Sequence, residues 1–119
     1  MNYIDGFVIP VPKANKAMFI EQAREFDLLL KTFGALRIVE CWGNDVPHGK
    51  QTDFYRAVQA SDEETVVFSW VEWPDKATRD AGFAKVEALM QTDPRFKDRP
   101  AAFDGKRLIF GGFAPVLEL

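Results

Sequence analysis

Thr65-Val66-Val67-Phe68-Ser69-Trp70-Val71-Glu72-Trp73-Pro74-Asp75 is the stretch whose reading decides the fold. β-Branched and aromatic residues dominate its first nine positions, as a pleated, buried surface prefers. A period of two sorts them into Val66, Phe68, Trp70 and Glu72 on one side and Val67, Ser69, Val71 and Trp73 on the other. Both rows are apolar, so both faces of this strand need cover. Pro74 then interrupts the ladder, and Asp75 is a good N-cap for a helix over 76–91. Ala77, Ala81, Ala84 and Ala88 form the stripe of that helix, flanked by Phe83, Leu89 and Met90. Small residues there let a helix approach a sheet closely.

The same strand–helix order appears at the N-terminal end. Residues 2–11 read as a strand with Tyr3, Asp5, Phe7 and Ile9 in one row and Ile4, Gly6 and Val8 in the other, ended by Pro10 and Pro12. Phe19, Ala23, Phe26, Leu30 and Phe33 recur at helical spacing and predict a helix over 14–33, with Asn15 as N-cap and Gly34 as stop. Asp27 and Lys31 stand one turn apart on it, in the order that favours an ion pair. Residues 35–43 form a second strand, with Val39 and Cys41 on one face and Ile38, Glu40 and Trp42 on the other. A long connection, 44–63, follows; its segment 54–58 is compatible with a short strand or a helical turn. Phe103-Asp104-Gly105-Lys106 is a turn before a last strand over 106–113, in which Gly111-Gly112 suggests a bulge.

The order β-α-β, connection, β-α-β is that of the ferredoxin-like split βαβ, an α+β fold with an antiparallel sheet and both helices on one face. We expect one domain over 1–119. Two helices leave the second sheet face bare, yet its residues are apolar. A second copy of the chain is the simplest cover, so a homodimer is expected.

Composition narrows the class of partner. A net charge of −3 on 119 residues gives no electrostatic footprint for a nucleic acid held by its phosphates. Hydrophobic residues make up 47% of the chain, with eleven phenylalanines, which is too apolar for disorder. No apolar run approaches the ~20 residues that span a bilayer, and no basic leader precedes an apolar stretch. One cysteine excludes an internal disulfide framework. These features lead us to expect a cytoplasmic protein without a membrane partner.

The residues also resemble a family. Tyr3-Ile4-Asp5-Gly6-Phe7-Val8-Ile9-Pro10-Val11-Pro12, Val39-Glu40-Cys41, Asp45-Val46-Pro47-His48-Gly49-Lys50, Glu64 to Trp70, Phe103-Asp104-Gly105-Lys106-Arg107 and Gly111-Gly112-Phe113 together resemble the small bacterial YbaA-like proteins, a domain family of unknown function. The resemblance implies the dimeric α+β barrel superfamily, in which two ferredoxin-like sheets face each other across a shared cavity. Cofactor-free monooxygenases, haem-dependent enzymes, degradative isomerases and stress-response dimers all use that architecture. Fold-level analogy assigns none of these activities.

Three strands each set one acid among aromatic or aliphatic neighbours: Asp5, Glu40 and Glu72. The opposite rows hold the small residues Gly6, Cys41, Gly43 and Ser69, which suit helix packing. We therefore expect the acid-bearing rows on the dimer-facing side. A carboxylate there must be paired, hydrogen-bonded or protonated. Asp5 and Glu40 are the catalytic candidates, as general bases, with Trp42, His48, Phe68, Trp70 and Glu72 as substrate-binding candidates. The competing reading sets each acid near a strand end, or pairs it with Arg37, Lys106 or Arg107 across the dimer. Cys41 and His48 offer too few ligands for a metal and no secured geometry for a nucleophile. Asp45, His48 and Lys50 mark a polar loop fit to gate an anion, and no phosphate-cradling glycine loop is present. No metal, flavin or haem is expected. Two functional classes follow: a cofactor-free enzyme acting on a small aromatic or carbonyl compound in the barrel cavity, or a non-catalytic dimer that binds a small molecule or serves interaction.

Overall fold

The computed structural model describes residues 2–119. Its elements run β1 (Tyr3–Pro12), α1 (Lys16–Thr32), β2 (Arg37–Trp42), the one-turn helix α2 (Phe54–Ala57), β3 (Glu64–Trp73), α3 (Lys76–Thr92), the short α4 (Pro94–Lys97) and β4 (Ile109–Phe113). The four strands form one sheet in the order β2-β3-β1-β4, and each neighbouring pair is antiparallel. This is the ferredoxin-like split βαβ, with β3 inserted between β1 and β2.

Several local expectations are corrected. β1 runs through Pro10 to Pro12, opposite Val66 and Glu64. Pairing with β4 ends at Val8↔Ile109, so beyond it β1 has a ladder on one side only, where strand proline is tolerated. Asp53 accepts a hydrogen bond from the Arg56 amide and caps α2, which makes 54–57 a helical turn. The alanine stripe of α3 faces water. Its buried positions are Gly82 and Val86, which pack with Trp73 and Phe83. The last strand begins at Ile109 rather than 106, and its glycines keep an unbroken register, Gly111↔Gly6 and Gly112↔Asp5, so there is no bulge. Asp75 caps α3 as expected, at 2.7 Å from the Thr78 amide. Asn15 precedes α1, but its amide donates to the Ala102 carbonyl at 2.9 Å instead of capping the helix.

The core lies between the sheet and its helices in two clusters. Ile9, Val11, Phe19, Val67 and Ala102 form one, joined by Trp42 and Phe103. Leu30, Ala35, Val71, Trp73 and Val86 form the other. The register fixes which rows reach them: Asp5 stands opposite Val71, and Glu40 opposite Ser69, so both acids face the helices. This corrects the expectation that their rows face a dimer. Gly6 and Cys41, read as helix-facing, lie on the other side. Glu72 does lie on that bare face, with Phe68 and Trp70.

The bare face is apolar and open. Phe68 is 46% exposed, Ile109 46% and Phe113 60%. With Ile4, Val8 and Trp70 they line a shallow concavity.

Candidate functional site

A cavity of about 350 Å³ lies between α1, the helix-facing side of the sheet and the segment from α4 to β4. Phe7, Ile9, Phe19, Phe26, Phe96 and Phe103 belong to its apolar wall, and Gln22, Asp27, Glu40, Ser69 and Arg99 supply polar side chains. The segment over it is tied to α1: Gln22 donates to the Pro100 carbonyl at 2.8 Å and accepts from the Ala102 amide at 3.1 Å. Arg99 pairs with Glu25 at the rim.

α1 and β2 bring the two carboxyl groups together. Asp27 stands one turn after Ala23 and just before Leu30, on the helix face turned to the sheet. Glu40 lies on edge strand β2, across from the buried Ser69. Burial pushes the Asp27 carboxyl up to about 9, and the hydrogen bond and negative charge of Glu40 add to the shift. Burial also raises Glu40, while hydrogen bonds from Asp27 and Ser69 act in the opposite sense. Two carboxyl groups share a hydrogen bond only if one is protonated, so Asp27 donates and Glu40 accepts. Among the described residues one oxygen of Glu40, the buried Oε1, has no hydrogen-bond partner. The pair also borders an outer groove between α1 and the sheet edge, where Arg24, Lys31 and Arg37 lie. The expected Asp27–Lys31 surface pair does not form, since Lys31 donates to the Leu36 carbonyl at 2.7 Å.

Asp5 has a different setting. Its side chain is fully buried and is held by the Arg79 guanidinium through contacts of 2.8–3.1 Å, with the Trp73 indole donating at 2.9 Å. Tyr3 and Phe83 lie against the guanidinium. Asp5 is thus held in a bidentate ion pair between β1 and α3, away from the residues that line the cavity. Its partner is Arg79 of α3, not the Arg37, Lys106 or Arg107 named from the sequence. Arg107 instead holds Glu64 at 2.7 Å and keeps that carboxyl low, at about 2.

The remaining candidates are scattered. Trp42 packs on Phe19 in the core, with Lys16 over its ring. Phe68, Trp70 and Glu72 line the bare face, where the Trp70 indole donates to Glu72 at 3.1 Å. His48 is exposed in the loop after β2, stacked on Tyr55 at 4.4 Å, with Nδ1 3.8 Å from Asp53. Cys41 stands across from Phe68 on the bare face. Among the described residues no group of three or more His, Cys, Asp or Glu is placed to hold a metal ion, and no helix is long and apolar enough to cross a membrane.

Fold and cavity define an α+β ferredoxin-like protein whose buried acid pair faces an apolar hollow inside the protomer. The chain belongs to the family described as "Protein of unknown function (DUF1428)", which matches residues 2–105. It is 51% identical to the uncharacterized protein YbaA of Escherichia coli K12 over 120 residues, covering 99% of both chains, and equally similar to YbaA of Shigella flexneri. Among solved structures it is similar to a dimeric ferredoxin-like protein from an uncultured marine organism, with a TM-score of 0.65, 14% identity and 99% and 98% of the two chains covered. At that identity the likeness speaks for the fold.

Proposed function

We propose that each protomer binds a small, mainly aromatic molecule in the cavity between α1 and the sheet, and that the Asp27–Glu40 pair exchanges a proton with it. The observation that carries this reading is Glu40 Oε1, a buried acceptor without a partner at the wall of an apolar cavity. Its size is at the lower end of ligand pockets, which run from about 300 to 1,000 Å³. A protonated acid beside an ionised one gives a donor and an acceptor within one site, the arrangement general acid–base chemistry requires. Glu40 thus keeps the role of base anticipated from the sequence, Asp27 joins it as acid, and Asp5 is reassigned to holding β1 to α3. The site requires no cofactor for this step.

The assembly belongs to the proposal. The bare face is apolar, and the marine relative of the same fold is described as a dimer. Strands of ten, six, ten and five residues, at about 3.3 Å per residue and about 4.8 Å apart, give a footprint of roughly 500 Å². The segments flanking the sheet would supply the rest of the ~800 Å² per partner of a standard interface. In this reading Phe68, Trp70 and Glu72 serve the dimer face rather than the ligand wall.

A fragment screen followed by amide NMR tests the site. Ligand-induced shifts clustered at Phe7, Phe19, Phe26, Glu40 and Phe103 are expected. Shifts confined to Phe68, Trp70 and Phe113 would move the site to the dimer face. Solvent-deuterium incorporation into a bound carbonyl compound, lost in Glu40→Gln, separates a catalyst from a binding protein.

A further inference from the structure

We propose that the polar end of the molecule held in this cavity is a positive charge, an ammonium group on a small aromatic body. The inference rests on the cavity being the ligand site and names the chemistry that the wall selects.

Charge balance is the starting point. Two other buried carboxylates of the protomer are each matched by an arginine: Asp5 by Arg79 and Glu64 by Arg107. Among the described residues the Asp27–Glu40 pair has no such match. The cations near it are engaged elsewhere, Lys31 at the Leu36 carbonyl, Arg37 beside Glu72 and Arg99 on Glu25. Arg24 lies on the outer groove and forms no ion pair with either carboxyl among the described residues. A buried carboxylate strongly favours a counter-charge, and here the protein supplies only the Asp27 proton and the Ser69 hydroxyl.

The ligand classes then separate. A carboxylate or phosphate would add negative charge to a wall whose one described cation, Arg99, is already paired with Glu25. A neutral hydroxyl would donate to Glu40 Oε1 but leave the charge uncompensated. An ammonium donates to the same atom, neutralises the charge and enters an aromatic wall of Phe7, Phe19, Phe26 and Phe103, a ring type whose quadrupole attracts cations. A hydrogen bond involving a charged group is about twice as strong as a neutral one.

Matched single-ring compounds test this on the intact chain at pH 7.5: benzylamine, benzyl alcohol, benzoate and toluene, with affinities by NMR titration. Benzylamine is expected to bind about tenfold to a hundredfold tighter than benzyl alcohol, and benzoate weakest. Glu40→Gln should bring benzylamine down to the level of benzyl alcohol, with the alcohol weakened much less. Asp27→Asn, which leaves the Glu40 charge, should keep the preference. Acidification of the parent protein gives the same test without a substitution, because protonating Glu40 removes the charge while Arg24, Lys31, Arg37 and Arg99 keep theirs. Benzyl alcohol, toluene or benzoate binding as tightly as benzylamine would overturn the ammonium assignment and leave the cavity site standing. If none of the four shifts a cavity residue, the site and the inference fall together.

Discussion

Asp5 and Glu40 are both strand carboxylates on the helix-facing side of the sheet, and what separates them is a cation. Arg79 reaches Asp5 because Gly112, directly across the strand pair, has no side chain: a Cβ there would stand 2.7 Å from Arg79 Nη2 and 2.2 Å from the Tyr3 hydroxyl. Removing one partner of a buried pair costs about 3–5 kcal/mol, so Asp5→Ala should destabilise by about that amount in urea unfolding. An unchanged midpoint would mean that Arg79 finds solvent without cost. Asp27 gives the opposite kind of signal. Its folded pKa of about 9 lies far above the ordinary 3.8, so between those values the folded state holds a proton that the unfolded chain has released. Stability therefore falls as pH rises across that window and levels off beyond it. Asp27→Asn removes this loss, and its melting temperature relative to the parent should rise steadily from pH 5 to pH 9. A flat difference would show that Asp27 is ionised in the fold.

At the scale of elements, α3 shows how packing overrides propensity. Gly82 lies mid-helix, where alanine is ordinarily better by about 1 kcal/mol. A Cβ on Gly82 would stand 2.9 Å from two atoms of the buried Trp73 ring and 3.3 Å from the Phe33 carbonyl. Overpacking a rigid ring costs about 1–3 kcal/mol, so Gly82→Ala should lower the melting temperature despite its better helix propensity. A rise would show that the ring can yield. The same helix marks where the sequence misleads: its alanines look like a packing stripe, but the close approach is made by glycine. Strand and helix existence was legible from period-two rows and from the Phe19–Phe33 stripe, because those patterns record burial directly. The facing of the rows was not, since residues in both rows of β1 and β3 are apolar and parity alone does not choose a side. Asp27 was the missed signal. It sits among Ala23, Phe26 and Leu30 on the apolar stripe of α1, and an acid there needs a buried partner more than it needs Lys31. Glu40 was legible as a candidate, but its partner lies on a different element, beyond what local spacing reveals.

For the whole molecule, two surfaces compete to explain the apolar excess, the inner cavity and the bare sheet face, and they are separable because β1 and β3 send alternate residues to each. Trp70 belongs wholly to the outer one: it stands across from Gly6 and Val39, touches Phe68 at 6.1 Å between ring centroids and donates to Glu72. In a two-fold dimer each copy presents the same patch, so one substitution is introduced twice. Trp70→Arg would remove two indoles from the proposed interface and bury two added charges there, a cost that contacts at its margin do not offset. Sedimentation at micromolar concentration should then show a dimeric parent and a monomeric Trp70→Arg protein. The fold should survive, because Trp70 lies outside both core clusters, and the far-ultraviolet spectrum checks this. A monomeric parent would leave Phe68, Ile109 and Phe113 exposed with no partner copy and would sink the dimer. A Trp70→Arg protein that remains dimeric would place the interface elsewhere. Because the cavity is walled by the same sheet's other side, ligand binding in the monomeric variant should persist within about threefold of the dimeric parent. Its loss would mean that pairing of the sheets sets the positions of Glu40 and Asp27 as well.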